Sequence, residues 1–301
     1  MFLKTAISSK EPFWTYLLGS FVIIIFNIIG QLPLTYFMID SGISSSSVSN
    51  PMELLRSLDK NLQLFLLLIP FLVGFLGLWL VIKKIHGRSL KSITTIREKT
   101  DWNRVVFSFT IWAGISVVLI VGNYLFTPES YEWNFNFKNF IVLFVIAVLL
   151  IPVQTSLEEY IFRGYLMQGF GKLFHNHWAP LIMTSFIFGF LHLFNPEVEK
   201  LGYGILVYYI GTGLFLGIIT LMDEGIELAL GFHAANNLTT ALLVTSSWTA
   251  FQTESVLIDV SEPSLGTELI LSIFILYPGF LYLMTKKYNW SDWKNKLIAK
   301  I

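Results

Sequence analysis

Residues 140–163 read FIVLFVIAVLLIPVQTSLEEYIFR, and this stretch decides the fold. Its first 18 residues carry no charge, which is close to the roughly 20 apolar residues that a membrane-spanning helix needs. Its last six residues contain three charges, on Glu158, Glu159 and Arg163. A charge inside a spanning helix costs about 2.5–3.5 kcal/mol, so these side chains need a local partner or a function.

Similar apolar runs fill most of the remaining chain. We therefore predict an all-α fold, a polytopic membrane helical bundle with about eight transmembrane helices. The predicted spans are residues 14–38, 61–82, 105–126, 140–168, 179–195, 203–222, 228–250 and 268–285. They leave no room for a separate soluble module, so residues 1–301 are predicted to form a single transmembrane domain.

The overall composition supports this class of protein. Hydrophobic residues make up 54% of the chain, charged residues only 13%, and the mean hydropathy is +0.65. Soluble domains carry about 25% charged residues, so a soluble enzyme or a disordered chain is excluded. The 20 basic and 20 acidic residues cancel, which leaves no field to attract nucleic acid. The absence of cysteine excludes disulfides and thiol catalysis.

The distribution of Lys and Arg predicts the orientation of the bundle. If both termini are cytoplasmic, 16 of the 20 basic residues fall on the inside. The four outside are Arg56, Lys60, Lys138 and Lys200. The apolar stretch after Lys10 is too long for a signal peptide, so span 1 is expected to remain uncleaved. We expect a multi-pass protein of a bacterial plasma membrane, with segment 83–104 as either a basic loop or an interfacial helix on anionic lipid.

Three polar groups interrupt the apolar pattern. Glu159 and Arg163 are four residues apart, so they share a helix face and can pair, while Glu158 lies about 100° away without a cationic partner in sequence. His192 follows Phe188 by one turn, next to Gly189, which permits close helix approach. Taken singly, each of these could be a charged helix end or a packing residue.

The third group is His233 and Asn237, again one turn apart, with two small alanines between them. Alone, this pair could be a polar clamp between helices. Buried polar groups are costly unless they meet, so we expect the three groups to converge. A carboxylate can take a proton from water, a neutral imidazole can orient that water, and His and Asn donors can stabilise an oxyanion.

The same side chains also match a catalytic zinc site. Glu158, His192 and His233 supply a carboxylate and two imidazoles, and the residues alone do not separate a metal-bound water from a metal-free one. The sequence contains no HExxH, GxSxG or GxxxxGK[ST] motif. The remaining histidines, His86, His175 and His177, are expected in loops in contact with water or the interface.

These motifs resemble the CPBP family, the CAAX proteases and bacteriocin-processing or bacteriocin-immunity proteins also called Abi. The three motifs occur in order on separate spans: Glu158-Glu159-x-x-x-Arg163, Phe188-x-x-x-His192 and His233-x-x-x-Asn237. The resemblance covers residues 140–245, which would be the catalytic core. It implies an intramembrane endopeptidase that acts on a membrane-associated peptide or protein.

The resemblance also implies roles for the site residues. Glu158 would be the general base, helped by His192, while His233 and Asn237 would bind the oxyanion. Glu159 is counted with the catalytic residues, although with Arg163 it would be structural or orienting, and Phe188 would also be structural or orienting. A divalent metal such as zinc, held by Glu158, His192 and His233, and a metal-free glutamate mechanism are both compatible with the family.

Two other functions stay open at this stage. A non-catalytic immunity or regulatory protein could bind a membrane peptide with the same groups, and a transporter could use them as an ion path, although no inverted repeat is evident. Counting along the spans also leaves a geometric conflict, since His192 falls toward the outer face and His233 toward the inner one. The groups can meet only if span 5 tilts or begins deeper, or if span 4 begins before Asn139.

Overall fold

The chain folds into a helical bundle, which a computed structural model describes for residues 2–4, 11–40 and 58–301. The first four α-helices are α1 (Trp14–Gly30), α2 (Leu32–Asp40), α3 (Lys60–Leu80) and α4 (Trp102–Phe126). The next four are α5 (Phe137–Glu159), α6 (Met167–Phe174), α7 (Trp178–Leu191) and α8 (Pro196–Leu201). The last five are α9 (Leu206–Asp223), α10 (Glu227–Leu243), α11 (Thr267–Leu271), α12 (Tyr277–Tyr288) and α13 (Trp293–Leu297).

Short irregular helices continue several of these elements. The π-helical segments are Val81–Ile85, Tyr160–Leu166 and Ser272–Leu276. The 3-10 turns are Leu90–Ile93, Pro128–Ser130, His192–Phe194 and Tyr203–Ile205. The π segment Tyr160–Leu166 joins α5 to α6, so one helical rod runs from Phe137 to Phe174. This rod begins before Asn139. That is one of the conditions under which the polar groups on the predicted spans could meet despite the different depths of His192 and His233.

Six helical segments within the described residues are long and apolar enough to cross a membrane. They are Trp14–Ile39, Lys60–Ile85, Trp102–Phe126, Phe137–Phe174, Tyr203–Asp223 and Leu269–Tyr288. The chain is therefore a multi-pass membrane protein with a helical bundle, as predicted. The predicted spans 179–195 and 228–250 correspond to shorter helices, Trp178–Phe194 and Glu227–Leu243. A total of eight spans stays a prediction, as does the single domain with a core at 140–245.

The all-α prediction omits one small sheet. Strands β1 (Tyr131–Trp133), β2 (Val244–Ser246) and β3 (Leu257–Asp259) form a sheet with the order β1-β3-β2. β3 pairs with β1 antiparallel and with β2 parallel. The sheet thus ties together the two polar loops that follow α4 and α10, and it replaces the last turns of the predicted span 228–250.

Residues near both ends of the chain lie at the end of the bundle opposite the sheet. The backbone N–H of Phe2 donates to Glu224, and the backbone N–H of Ile301 donates to the carbonyl of His175 at 3.0 Å. Arg97 reaches the same end and pairs with Asp223 at 3.0 Å. The two ends of the chain therefore lie on one side of the bundle, as the predicted orientation needs. Which membrane face this is stays a prediction, and Lys10 and Arg56 lie outside the described residues.

Segment 83–104 is a loop rather than an interfacial helix. After the π turn Val81–Ile85 it contains one 3-10 turn, Leu90–Ile93, followed by bends up to α4. Arg97 binds Asp223 and Glu227, the residues that end α9 and begin α10. Two buried carboxylates therefore fix this loop to the protein. The mixed basic and apolar pattern of segment 83–104 does not form an amphipathic helix.

Helix α10 lies at the centre of the bundle. Its residues from Glu227 to Ala235 are all buried, and it packs against α4, α5 and α9. Close contact with α4 is possible because Gly231 has no side chain; a Cβ there would overlap the carbonyl oxygen of Val105. The hydroxyl of Ser108 on α4 donates to the carbonyl of Leu228 at 2.6 Å. Small residues thus bring two backbones together, as is usual between membrane helices.

We expect Gly231→Ala to destabilise the protein because the added methyl group must push α4 away from α10. Overpacking of this kind costs about 1–3 kcal/mol. The matched control is Gly122→Ala on α4, where a Cβ would meet no atom within 4 Å. Thermal unfolding in detergent should show a lower midpoint for the first variant only, and equal midpoints would contradict the close packing.

Candidate active site

A buried ion pair lies where α5 passes into the π segment. Glu159 and Arg163 are both fully buried, and Nη1 of Arg163 donates to Oε1 of Glu159 at 2.9 Å. Nη2 of Arg163 donates to the carbonyl of Gly213 on α9 at 3.3 Å, and the guanidinium lies 4.5 Å from the ring centre of Phe188 on α7. The predicted i,i+4 pair is present, and it connects three helices.

The same carboxylate holds His233. Nδ1 of His233 lies 2.7 Å from Oε1 of Glu159, so this oxygen contacts both Arg163 and the imidazole. Oε1 of Glu159 accepts the hydrogen bond of Arg163, and a carboxylate oxygen in such a pair accepts from the imidazole as well, so Nδ1 carries the proton. The other ring nitrogen, Nε2, therefore faces the site. It lies 3.5 Å from Oε2 of Glu158.

Glu158 is held on one side and open on the other. Its Oε1 accepts a hydrogen bond from Nε2 of Gln154 at 2.7 Å, while its Oε2 faces His233. The side chain is 17% exposed, in contrast to the fully buried Glu159. The two adjacent glutamates thus differ in the way the sequence predicts, one fixed in an ion pair and one accessible.

His192 follows α7 in a 3-10 turn and is fixed by its backbone and by aromatic rings. Its Nδ1 donates to the carbonyl of Phe188 at 2.7 Å, because a carbonyl can only accept, so its Nε2 carries the lone pair. The imidazole stacks on Tyr209 at 4.2 Å between ring centres. Among the described residues, His192 has no hydrogen bond or ion pair with Glu158 or His233. Phe188 lies between the two histidines, at 4.7 and 6.2 Å between ring centres.

Asn237 completes the group that the structure brings together. It lies one turn after His233 on α10, and its Nδ2 donates to Oε1 of Gln154 at 3.2 Å. Gln154 therefore connects Asn237 to Glu158 across the α5–α10 interface. Sequence reasoning missed Gln154 and Tyr209. The sequence did contain a signal for Gln154, an amide side chain in an apolar run four residues before Glu158. Tyr209 gave no comparable signal, because it lies in a stretch with other aromatic residues.

Close packing of α7 on α9 positions Phe188 and His192. A Cβ on Gly189 would overlap the side chain of Ile210, and a Cβ on Gly213 would lie 2.9 Å from Cα of Ser185. The close approach expected at Gly189 is therefore present. It lets α9 present Tyr209 to the imidazole and the Gly213 carbonyl to Arg163.

The predicted metal ligands are not gathered as a ligand group. Within the part of the chain that the structure describes, no three or more His, Cys, Asp or Glu side chains are placed to hold a metal ion. Glu158 and His233 face each other, but His192 has no hydrogen bond or ion pair with either of them among the described residues. The zinc site therefore stays a prediction, and the chemistry below is derived from side chains alone.

Two of the other histidines are not in contact with water, and that expectation was wrong. His86 is 3% exposed, with Nδ1 2.8 Å from Glu11 and Nε2 2.9 Å from the hydroxyl of Tyr165. Burial lowers the pKa of His86, against the opposing effect of the Glu11 carboxylate. His177 is also 3% exposed, and its Nδ1 donates to the carbonyl of Ala299 at 3.0 Å. Only His175 is exposed, as expected.

Comparison with known proteins finds one family model that matches the part of the chain containing the three motifs. The family model described as type II CAAX prenyl endopeptidase Rce1-like matches residues 137–239, which run from the first residue of α5 into α10. This match confirms the resemblance to the CPBP family of CAAX proteases over these residues. It points to a protease and, with the six apolar helices, to a multi-pass membrane protein.

A relative and the solved structures add little about function. Over 240 residues, the chain is 28% identical to "Uncharacterized protein YyaK" of Bacillus subtilis (strain 168). The aligned region covers 79% of this chain and 80% of that protein. No solved structure matches the chain.

We expect the single variants Glu159→Gln and Arg163→Met each to lower the free energy of unfolding by about 3–5 kcal/mol, since each leaves a buried charge unpaired. The double variant should recover most of the loss because it removes both charges. Thermal unfolding in detergent measures this cycle. Lys296→Met, which breaks a partly exposed pair with Glu224 and a hydrogen bond to the Met222 carbonyl, is the control and should cost less than either buried single variant. A double variant no more stable than either single one would contradict the assignment.

Proposed function

We propose that the protein is an intramembrane endopeptidase that hydrolyses peptide bonds of membrane-associated peptides or proteins. One observation carries the proposal. Glu158 has one carboxylate oxygen bound by Gln154 and the other facing Nε2 of His233, with Asn237 on the next turn of α10. A carboxylate fixed in this way, accessible and surrounded by apolar helices, is suited to act as a general base.

The proposed reaction begins with a water that gives a hydrogen bond to Oε2 of Glu158. Nε2 of His192 is a second acceptor that can orient the water, since its Nδ1–H is already bound to a backbone carbonyl. This role requires the water to lie between His192 and Glu158, since the two side chains make no direct hydrogen bond. Glu158 takes one proton as the water oxygen bonds to the substrate carbonyl carbon.

The carbonyl oxygen becomes an oxyanion that needs a hydrogen-bond donor. Asn237 offers the second N–H of its amide, and His233 offers an N–H at Nε2 if the ring enters the reaction as the imidazolium, with its Nδ1–H still on Glu159. The carbon–nitrogen bond then breaks, and Glu158 returns its proton to the leaving amine. Glu159 and Arg163 take no part in proton transfer. They fix the imidazole of His233, because Glu159 Oε1 binds both groups.

The substrate class follows from the membrane location and the family match. A peptide that reaches the site is expected to come from the membrane or its surface, since the described residues include six helical segments long and apolar enough to cross a membrane. By similarity to the CAAX prenyl endopeptidase family, a prenylated C-terminal peptide is one candidate substrate. We further propose a bacterial plasma membrane location, with both termini cytoplasmic, from the 16:4 distribution of Lys and Arg.

We expect Glu158→Gln to abolish cleavage because an amide cannot accept the proton from water. The measurement is release of fluorescence from quenched peptides in proteoliposomes, with and without a farnesyl group, and the expected fall in kcat is about 10²–10⁴-fold. Glu199→Gln, an exposed acid on α8, is the matched control. Full activity of Glu158→Gln would refute the proposal. Peptide binding without cleavage by the wild-type protein would favour a regulatory or immunity function instead.

A second experiment concerns the metal. Since the donor set does not form a three-ligand site, we expect cleavage to persist after treatment with EDTA or 1,10-phenanthroline, with substoichiometric zinc by elemental analysis. Loss of activity with the chelator and recovery with added zinc would instead establish a metallopeptidase. Glu158, His192 and His233 would then be the ligands to test by substitution.

A further inference from the structure

A chain of hydrogen bonds between side chains runs from α4 through α10 to the catalytic glutamate. Nε1 of Trp112 donates to Oδ1 of Asn236 at 3.1 Å, and Nδ2 of Asn236 donates to Oδ1 of Asn237 at 3.1 Å. Nδ2 of Asn237 donates to Oε1 of Gln154 at 3.2 Å, and Nε2 of Gln154 donates to Oε1 of Glu158 at 2.7 Å. Three amides thus stand between an indole and a carboxylate.

The two ends of this chain have fixed hydrogen-bonding character. An indole N–H can only donate, and an ionised carboxylate can only accept, whereas each amide can donate or accept in either orientation. Turning any one amide around would place two N–H groups or two oxygens against each other. Trp112 and Glu158 together therefore determine the orientation of all three amides between them, independently of how the amides are assigned.

Trp112 is well suited to be the fixed end. Its side chain is 4% exposed, and its ring packs against Phe232 at 4.2 Å and against Phe280 at 5.9 Å between ring centres. These contacts prevent the indole from turning its N–H away from Asn236. The orientation of the chain is therefore set by aromatic packing between α4, α10 and α12.

We propose that Trp112, Asn236 and Gln154 are positioning residues for the hydrolytic site. They determine that Asn237 presents an N–H to the oxyanion, because its oxygen is bound by Asn236. They also determine that Glu158 uses Oε2 as the base, because Oε1 is bound by Gln154. This inference rests on the proposed function, and none of the three residues belongs to the motifs that carry the family resemblance.

The test compares variants in the peptide-cleavage assay. Gln154→Met removes the amide at nearly constant size. Asn236→Asp keeps the acceptor for Trp112, but its carboxylate cannot donate to Asn237. We expect kcat to fall about 10-fold to 10²-fold in both, as for small displacements of a reacting group, with KM within about twofold. Trp112→Phe should act in the same direction. It removes the donor and keeps an aromatic ring.

Matched controls lie elsewhere in the chain. Gln168 is fully buried and donates to the carbonyl of Ser92 at 2.9 Å, and Trp290 is 8% exposed and donates to Asp223 at 3.2 Å. Gln168→Met and Trp290→Phe lose the same chemical groups outside the chain of amides, so they should leave kcat unchanged. If Gln154→Met and Asn236→Asp behave as the controls do, the inference is overturned. If Trp112→Phe fails to fold, the isosteric Asn236→Asp decides.

A spectroscopic readout separates this inference from the proposed function. In protein labelled with ¹⁵N-tryptophan, the indole resonance of Trp112 is identified by its loss in Trp112→Phe. We expect Asn236→Leu to move its indole proton upfield, because the acceptor is gone, and Gln168→Met to leave it in place. An unmoved resonance in Asn236→Leu refutes the chain even if the enzyme is active. Activity of Glu158→Gln, in contrast, refutes the proposed function. The indole resonance of Trp112 would then still report whether the chain of hydrogen bonds is present.

Discussion

The site depends on the buried carboxylate of Glu159. One of its oxygens binds both Arg163 and His233, and Arg163 in turn binds the backbone of α9 and the ring of Phe188. A buried charge is costly in a membrane protein unless its partner is equally well placed. The arrangement of α5, α7, α9 and α10 is therefore constrained at one point, because any displacement of these helices would separate the charges or lose their hydrogen bonds.

This constraint explains why two adjacent glutamates can have different roles. The ion pair fixes the position of Glu159, and the helix then turns Glu158 toward His233, where it is partly accessible. The π segment begins at Tyr160, directly after the two glutamates, and contains Arg163; such segments often occur at functional sites of helices. A fully buried carboxylate and a partly exposed one can thus follow each other in sequence, since the helix places them at the two different ring nitrogens of His233.

Much of this could be predicted from the sequence. Apolar run lengths gave the membrane class and six of the spanning segments, and the i,i+4 spacing of Glu159 and Arg163 gave their pairing. The lengths of α7 and α10 were overestimated. The apolar pattern continues through His192–Phe194 and Val244–Ser246, although the chain there forms a 3-10 turn and a strand. Hydropathy measures the preference for an apolar environment, but it does not distinguish a helix from a strand.

The parts that could not be predicted all depend on contacts between distant residues. His86 lies in a basic segment, and only the approach of Glu11 and Tyr165 shows that it is buried. Gln154 has no special spacing relative to Asn237, which is 83 residues away. Asn236 and Asn237 are adjacent and chemically identical, yet one contacts Trp112 and the other Gln154. Motifs identify the residues able to carry out chemistry, whereas the atoms they present are determined by partners from other helices, which a single sequence does not reveal.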